Sequence, residues 1–271
     1  KKGFYGGLKK TNKWFSNKGN LKFYKKNFFK FKFMNLKKKK IFKKIFDFYK
    51  NNKKLPKIDF HIHTNWTDGK HSVREMADAA QKRKLEMIMF TEHSRKSSKV
   101  WFNKFVREIK ETQKKHKKCK MFIGTEVKIK DFDGSLDINN SIKKKCDYVM
   151  ASVHRFPGEK GNIFKNKPKI SKKDAINIEY KLSIRALKKS NFSILGHPFG
   201  MSLKRFKIQP DWKLFQKLIR ECKKNNKIFE INFHYHKNYK KLLEECIKQK
   251  AYFSLGSNAH TKKDIGRINS F

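Results

Sequence analysis

The amino-acid sequence predicts an α/β fold built as a barrel of parallel strands. Seven short apolar runs recur between residues 57 and 260, and each is followed by a polar, helix-like stretch. Histidines and acids stand where the runs end, which is the side at which parallel strands collect functional groups. Alternating strands and helices imply right-handed crossovers. Seven such units favour a barrel, with a doubly wound open sheet as the alternative.

The predicted elements follow in order along the chain. Ser72 precedes Glu75 by three residues, which is the spacing of a capping box at the start of a helix. The other helices are predicted from the polar, helix-like composition of the segments between the apolar runs. The predicted strands are 57–64, 86–93, 120–128, 146–154, 192–198, 227–232 and 251–260, and the predicted helices are 72–84, 101–117, 172–189, 212–225 and 239–250.

The chain carries an extreme positive charge. Its 271 residues have a formal net charge of +47, and lysine far outnumbers arginine. Such a charge attracts polyanions, so non-specific nucleic-acid contact through the basic surface is one interpretation. A solvated lysine surface enlarged by A/T-rich codons, which also explains the many Asn, Ile and Phe residues, is the preferred one. Lysines supply no base readout, so sequence-specific nucleic-acid recognition is not indicated.

Composition changes near Pro56. Residues 1–57 hold 21 lysines, ten phenylalanines and one acid, Asp47. Within them, residues 36–52 have helical spacing of apolar side chains and predict a basic amphipathic helix. This helix could touch a membrane surface or nucleic acid, or pack on the main domain. We therefore predict a basic extension over 1–57, with an organelle-targeting remnant as a weaker interpretation, and one domain over 58–271.

The cysteines and the hydropathy indicate the compartment. Four cysteines occur without a CxxC pair, and no secretory signal is visible, which suits free, mostly buried thiols in a reducing compartment. No run of 18 apolar residues exists, so no transmembrane segment is predicted. We expect a cytoplasmic protein, or an organellar one if residues 1–57 contain a targeting remnant.

Metal-ligating residue types stand at the ends of all seven runs. A single histidine at a strand end usually serves only a hydrogen bond, but six of the ten histidines lie in such positions. In "HIHT" the period of two sends His61 and His63 to the same side of a strand. Imidazoles and a carboxylate that meet at one barrel mouth suit Zn²⁺, Mn²⁺ or Fe²⁺. The residues in these positions are His61, His63, Glu92, His93, Glu126, His154, His197, Glu230, Asn232, Asn258 and His260.

The sequence resembles the polymerase-and-histidinol-phosphatase (PHP) family of metal-dependent phosphoesterases. The resemblance covers roughly residues 58–271 and is closest to the PHP domain of bacterial family X DNA polymerases and to free-standing PHP hydrolases. It implies a distorted seven-stranded (β/α) barrel with two or three divalent metal ions at its mouth. The matching segments are "DFHIHTNWTDG", "FTEHS", "GTEVKI", "DGSLD", "DYVMASVH", "ILGHP", "EIN" and "GSNAH", in family order.

The resemblance also implies a ligand set. Glu126 would bridge the first two metals. The chain departs from the family at Asn258, where Asp is usual and a neutral amide binds metal less tightly, and at Glu92, which stands in the place of an Asp beside His93. The implied ligands are His61, His63, Glu126 and Asn258 for the first metal, Glu126, His154 and His197 for the second, and Asp68, His93 and His260 for the third.

The implied activity is the hydrolysis of a phosphate ester on a phosphorylated small molecule, a nucleotide or a nucleic-acid end. Asp68 and His260 are the candidates for protonating the leaving group. Arg95, Arg155 and Arg205 are the candidates for binding the substrate phosphate, since guanidinium groups suit phosphate. His234 and His236 are interpreted as surface residues without a role, with a loop contact to the substrate as the alternative. The alternative function is a catalytically weakened PHP barrel that binds nucleic acid or a protein.

Overall fold

A computed structural model describes residues 39–161 and 170–269 of the chain. The chain divides into two compact units, residues 1–41 and 42–271, and only the second is considered below. Residues 1–38, which carry most of the predicted basic extension, lie outside the described part. The strands are β1 (Ile58–Ile62), β2 (Met87–Phe90), β3 (His93–Ser94), β4 (Lys120–Lys128), β5 (Tyr148–Ser152), β6 (Ile194–Leu195), β7 (Ile228–Asn232) and β8 (Phe253–Gly256).

Helices cover the outside of these strands. The helices are α1 (described over residues 39–52, of which 42–52 belong to the second unit), α2 (Val73–Lys82), α3 (Lys99–Lys115), α4 (Asn140–Lys145), α5 (Lys172–Lys189), α6 (Gly200–Phe206), α7 (Trp212–Lys224) and α8 (Tyr239–Gln249), followed by a 3-10 turn at Arg267–Asn269. The predicted capping box at α2 is confirmed, because Ser72 Oγ accepts from Glu75 N–H and Glu75 accepts from Ser72 N–H. The short helices α4 and α6 were not predicted, since six or seven residues show no clear periodicity.

The strands form a nearly closed parallel barrel. Its order is β1-β2-β4-β5-β6-β7-β8, and β3, which continues the run of β2, also pairs with β4. A parallel bridge joins Ile62 to Ala259 beyond β8, where Ala259 N–H donates to His61 O (3.1 Å) and His63 N–H donates to Ala259 O (2.8 Å). The predicted seven-stranded α/β barrel is therefore confirmed over the open sheet. A register shift between β1 and β2 and the two-residue β6 make it irregular.

Asp59 fixes the segment that closes the barrel. This fully buried carboxylate accepts hydrogen bonds from Ser257 N–H (3.0 Å) and Gly266 N–H (2.8 Å). Both donors follow β8, so one side chain of β1 holds the loop that carries Asn258 and His260. The opening residue of the "DFHIH" motif is therefore structural.

Helix α1 packs against the barrel through its apolar face. Phe42, Ile45, Phe46 and Tyr49 are all buried. The Phe42 ring meets Tyr148, the first residue of β5, at 5.2 Å, and Phe46 and Tyr49 contact Phe253, the first residue of β8. The helix thus covers the end of the barrel where strands begin. Residues 42–57 group with the barrel, whereas composition predicts the boundary after residue 57.

All four cysteines are buried, and none of them forms a disulfide, as predicted. Within residues 39–161 and 170–269, no helix has the length and apolar character needed to cross a bilayer.

Removing the Phe42 ring should destabilise the barrel. Phe42→Ala would leave a cavity between Phe60 and Tyr148, and we expect the free energy of unfolding to fall by about 3–5 kcal/mol. Urea unfolding monitored by circular dichroism measures this. Phe48→Ala is the matched control, because Phe48 is 43% exposed on the same helix. Equal effects of the two substitutions would contradict the packing of α1 on the barrel.

Candidate metal centre

The side chains predicted at the strand ends converge on one carboxylate, Glu126 of β4. Glu126 is only 1% exposed. Its two oxygens are approached by the imidazoles of five histidines at 2.8–3.6 Å. The shortest of these distances joins His197 Nε2 to Oε1 at 2.8 Å, and the others involve His61 (3.4 Å), His63 (3.6 Å), His93 (3.1 Å) and His154 (3.1 Å).

Strand geometry explains this convergence. His61 and His63 alternate at the end of β1, so that their rings lie 5.0 Å apart on one side. His93 on β3 is in register with Glu126 on β4. His154 and His197 follow β5 and β6, the next two strands of the barrel. Residues far apart in sequence therefore reach the same mouth because their strands are parallel neighbours.

Three groups of ligand atoms lie close enough to hold a cation. In each group the candidate ligand atoms are within 4.8 Å of one another. Nitrogen and carboxylate ligand atoms lie about 2.0–2.2 Å from an ion, so two ligands of one ion are separated by at most twice that distance. The separations within these groups are comparable with that limit. The groups are His61, His63 and Glu126; His93, Glu126 and His154; and His63, Asp68, His93 and His260.

The position of the proton on the His61 ring indicates whether this site fits a cation. His61 Nδ1 lies 2.7 Å from Glu230 Oε1, so in the neutral ring the proton is on Nδ1 and is donated to that carboxylate. The lone pair of His61 Nε2 then faces His63 Nε2 at 3.0 Å and Glu126 Oε2 at 3.4 Å. Acceptors facing acceptors repel one another unless a proton or a metal ion lies between them.

His260 and Asp68 repeat this arrangement at the open side of the centre. His260 Nδ1 donates to the carbonyl of Asn258 (2.8 Å), and its Nε2 faces Asp68 Oδ2 at 3.3 Å. Three buried atoms of the centre, Glu126 Oε2, His63 Nδ1 and His197 Nδ1, have no hydrogen-bond partner among the protein atoms. A buried polar atom without a partner costs about 1–3 kcal/mol. The donor set therefore fits bound cations at both places.

The pKa values of these groups follow from the same contacts. Burial alone would raise the pKa of Glu126, but His154 and His61 hold it well below its usual range. Burial would lower the pKa of His61, yet Glu230 and Glu126 raise it well above the ordinary value. For Asp68, hydrogen bonds from His260 and His93 outweigh partial burial and lower the pKa. The centre thus keeps its carboxylates ionised.

Several buried side chains support the ligands. Ser152 Oγ donates to Glu126 Oε1 (2.6 Å), and Glu230 Oε2 accepts from His197 N–H (2.5 Å). Glu92, predicted to support His93, is buried and accepts from Thr64 N–H (2.6 Å), which fixes the loop after β1. Sequence reasoning did not identify Ser152, although its position two residues before His154 places both on one side of the strand. It placed Glu230 at the mouth but gave it no role.

Asn258 lies in the loop after β8. Its backbone is left-handed, with φ of 56°, and its side chain is half-buried. Its carbonyl positions His260 through the hydrogen bond described above. The side chain as a metal ligand remains a prediction.

The three predicted phosphate-binding arginines differ in their surroundings. Arg95 is exposed after β3, and Arg155 is half-buried beside His154, where its Nη1 donates to Gly161 O (2.6 Å). Arg205 is buried, and both of its terminal nitrogens bind Glu159, at 2.6 and 3.0 Å. This bidentate ion pair already uses the guanidinium fork. It does not support the predicted contact between Arg205 and substrate.

The two histidines interpreted as surface residues also differ. His234 is exposed, as expected. His236 is buried, which corrects the interpretation, because its Nδ1 accepts from Asn232 N–H (3.0 Å) and its Nε2 donates to Pro198 O (2.9 Å). The partner Pro198 lies 38 residues away, on the loop after β6, so no local pattern reveals this contact.

The alignments with two named relatives each cover most of this chain. A probable phosphatase of Thermoanaerobacter sp. (strain X514) is 29% identical over 223 residues, covering 78% of the chain and 82% of the relative. The DNA polymerase/3'-5' exonuclease PolX of Bacillus subtilis (strain 168) is 27% identical over 185 residues, covering 65% of the chain and 29% of PolX. The chain therefore aligns with most of the length of the probable phosphatase and with a portion of the polymerase.

A solved structure shares the fold. The Listeria monocytogenes protein hisK, whose assignment as a histidinol phosphatase is provisional, aligns with a TM-score of 0.62 at 18% identity, covering 79% of this chain and 98% of that one. At this identity the likeness concerns the fold alone. Residues 59–234, which include every residue of the centre except those after β8, match the PHP domain family. With its barrel, its histidine-lined mouth and this match over more than half its length, the chain belongs to the PHP domain family.

Proposed function

We propose that this chain is a metal-dependent phosphoester hydrolase whose catalytic centre is built around Glu126. The carrying observation is the set of five imidazoles around one buried carboxylate, with the Nε2 atoms of His61 and His63 directed at each other at 3.0 Å. The centre opens to solvent on one side, because Asp68 is 52% exposed while His61 is fully buried. A substrate phosphate would therefore enter past Asp68 and His260.

Two or three divalent cations, Mn²⁺, Zn²⁺ or Fe²⁺, suit this mixture of imidazole and carboxylate ligands. When bound, such cations activate water at neutral pH and neutralise charge on phosphoryl oxygens. Glu126, His63 and His93 each belong to two of the three ligand groups, so each of them could serve two cations. We name the three cation positions deep, middle and open, in order of increasing exposure to solvent. The proposed deep ligands are His61, His63, Glu126 and Asn258; the middle ones are His93, Glu126, His154 and His197; and the open ones are Asp68, His93 and His260, beside His63.

Of the two predicted catalytic residues, one is assigned as the proton donor to the leaving group. A carboxylate with a pKa held as low as that of Asp68 stays ionised, so it holds a cation but releases no proton at neutral pH. His260 is about a third exposed at the open side, and it keeps the role of proton donor to the leaving group in the state in which its Nε2 holds a proton and not a cation. Arg95 and Arg155, on the loops after β3 and β5, remain the arginines proposed to meet the substrate phosphate.

The substrate class follows from the relatives and the charge. The Thermoanaerobacter relative is named a probable phosphatase, which favours a small phosphorylated metabolite or nucleotide. The relative PolX is named a polymerase and exonuclease, and a net charge of +47 suits a nucleic-acid end. We propose hydrolysis of a phosphate ester within these classes.

The direct test is hydrolysis by metal-loaded protein. Chelation followed by addition of Mn²⁺ should abolish and then restore release of 4-nitrophenol from 4-nitrophenyl phosphate. Glu126→Gln should lower kcat by at least about a hundredfold, because the bridging charge is lost. Elemental analysis of both proteins gives the metal content. A folded, metal-loaded protein that cleaves neither this substrate nor a panel of nucleotides, sugar phosphates and DNA ends would favour the alternative of a binding module.

Glu230 should control metal affinity although it contacts no proposed metal position itself. It holds the proton of His61 on Nδ1 and so directs Nε2 at the centre. We expect Glu230→Gln to weaken metal binding about 10- to 100-fold in calorimetric titrations. The matched control is Glu245→Gln, which removes one acid that binds Gln216 and Gln249 on the outer helices. Equal metal affinities in the two variants would disprove this role for Glu230.

A further inference from the structure

The turn after β7 is held rigidly beside the candidate centre. His236 joins the end of β7 to Pro198 O, and Pro198 directly follows His197. His234 N–H donates to Asn232 Oδ1 (3.1 Å), which closes the turn on itself. Side chains on this turn therefore have defined positions relative to His197.

Two side chains of the turn lie at the mouth. The Tyr235 ring is 5.0 Å from the His197 ring, and His234 packs edge-on against Tyr235 at 4.7 Å. Neither residue has a part in the ligand groups described above.

A lysine of α6 joins them from the other side. Lys204 Nζ lies 5.9 Å from the centre of the Tyr235 ring. Helix α6 is anchored by Glu179, a buried acid of α5 that accepts from Ser202 N–H (2.8 Å) and Ser202 Oγ–H (2.7 Å). Lys204 is exposed, whereas its neighbour Arg205 turns inward to Glu159. A rotation of about 100° between successive helical residues separates these two directions.

We propose that Lys204, His234 and Tyr235 form an oxygen-binding wall that holds the terminal oxygens of a substrate phosphomonoester. The proposal rests on the proposed function and deepens it. The three side chains offer an ammonium, an imidazole N–H and a phenol O–H, and none of them is an acid.

The number of phosphate oxygens selects the substrate class. A phosphomonoester has three terminal oxygens and up to two negative charges, whereas a phosphodiester has two terminal oxygens and one charge. Cations bound at the centre would neutralise two of the terminal oxygens. The third terminal oxygen of a monoester would then need hydrogen-bond donors from the protein. A wall of three donors beside the cations therefore favours monoesters over diesters.

The test compares one lysine of the wall with a lysine at the opposite end of the barrel. Lys204→Met should raise both KM for 4-nitrophenyl phosphate and the inhibition constant of inorganic phosphate by about tenfold, the usual effect of losing one charge-assisted hydrogen bond. Metal content should stay unchanged. Lys224→Met, at the exposed C-terminal end of α7, removes the same charge and should change neither constant.

A second variant tests the class of substrate. Tyr235→Phe removes only the phenol oxygen, and it should lower kcat/KM for 4-nitrophenyl phosphate several-fold more than for bis(4-nitrophenyl) phosphate. Equal losses on the two substrates, or constants for Lys204→Met within twofold of the parent, would overturn the proposal.

Calorimetric titration of metal-loaded protein with inorganic phosphate separates this proposal from the proposed function. If the parent protein binds phosphate but hydrolyses nothing, weaker binding by Lys204→Met than by Lys224→Met still supports the wall. Equal binding by these two variants overturns the wall, whatever the activity.

Discussion

One buried carboxylate, that of Glu126, constrains the rest of the molecule. A charge removed from water is tolerated only where positive charge or hydrogen-bond donors surround it. Here the surroundings are five imidazoles and the hydroxyl of Ser152, and one of the two carboxylate oxygens still lacks a protein partner. In its neutral form His61, which donates its outer proton to Glu230, presents the lone pair of Nε2 to this carboxylate. A cation between these facing acceptors would remove their repulsion, and this is how the fold would support metal binding.

The barrel supplies the geometry that this constraint requires. Parallel neighbouring strands deliver side chains to one mouth, and small residues leave room for the groups behind the ligands. A Cβ on Gly256 would collide with Glu230 Oε1 and His61 Cβ, and a Cβ on Gly196 would collide with Ser152 Oγ. These two glycines therefore allow Glu230 and Ser152 to reach their partners. The barrel end opposite the mouth is covered by α1, so that the same strands are packed at one end and carry the candidate metal centre at the other.

Much of the centre could be predicted because its information is local. The period of two in "HIHT" and the repeated occurrence of histidines at strand ends indicate which side chains meet. The roles of Glu230 and His236 depend on partners 169 and 38 residues away, which no spacing reveals. Arg205 was predicted to bind phosphate because of its guanidinium group, but α6 was too short to be recognised, so the inward direction of this side chain could not be predicted. The sequence left open whether the helix predicted over residues 36–52 packs on the main domain, because lysine content and helical spacing do not reveal the partner of its apolar face, which is buried in α1.

The proposed function depends most on cations bound at Glu126. Crystals grown with Mn²⁺ and measured at the manganese absorption edge would show this directly. The account predicts at least two anomalous peaks at about 2.0–2.3 Å from the oxygens of Glu126, one also bound by His61 Nε2 and another by His154 Nε2. Peaks confined to the protein surface, with the imidazoles around Glu126 bridged only by protons, would contradict it.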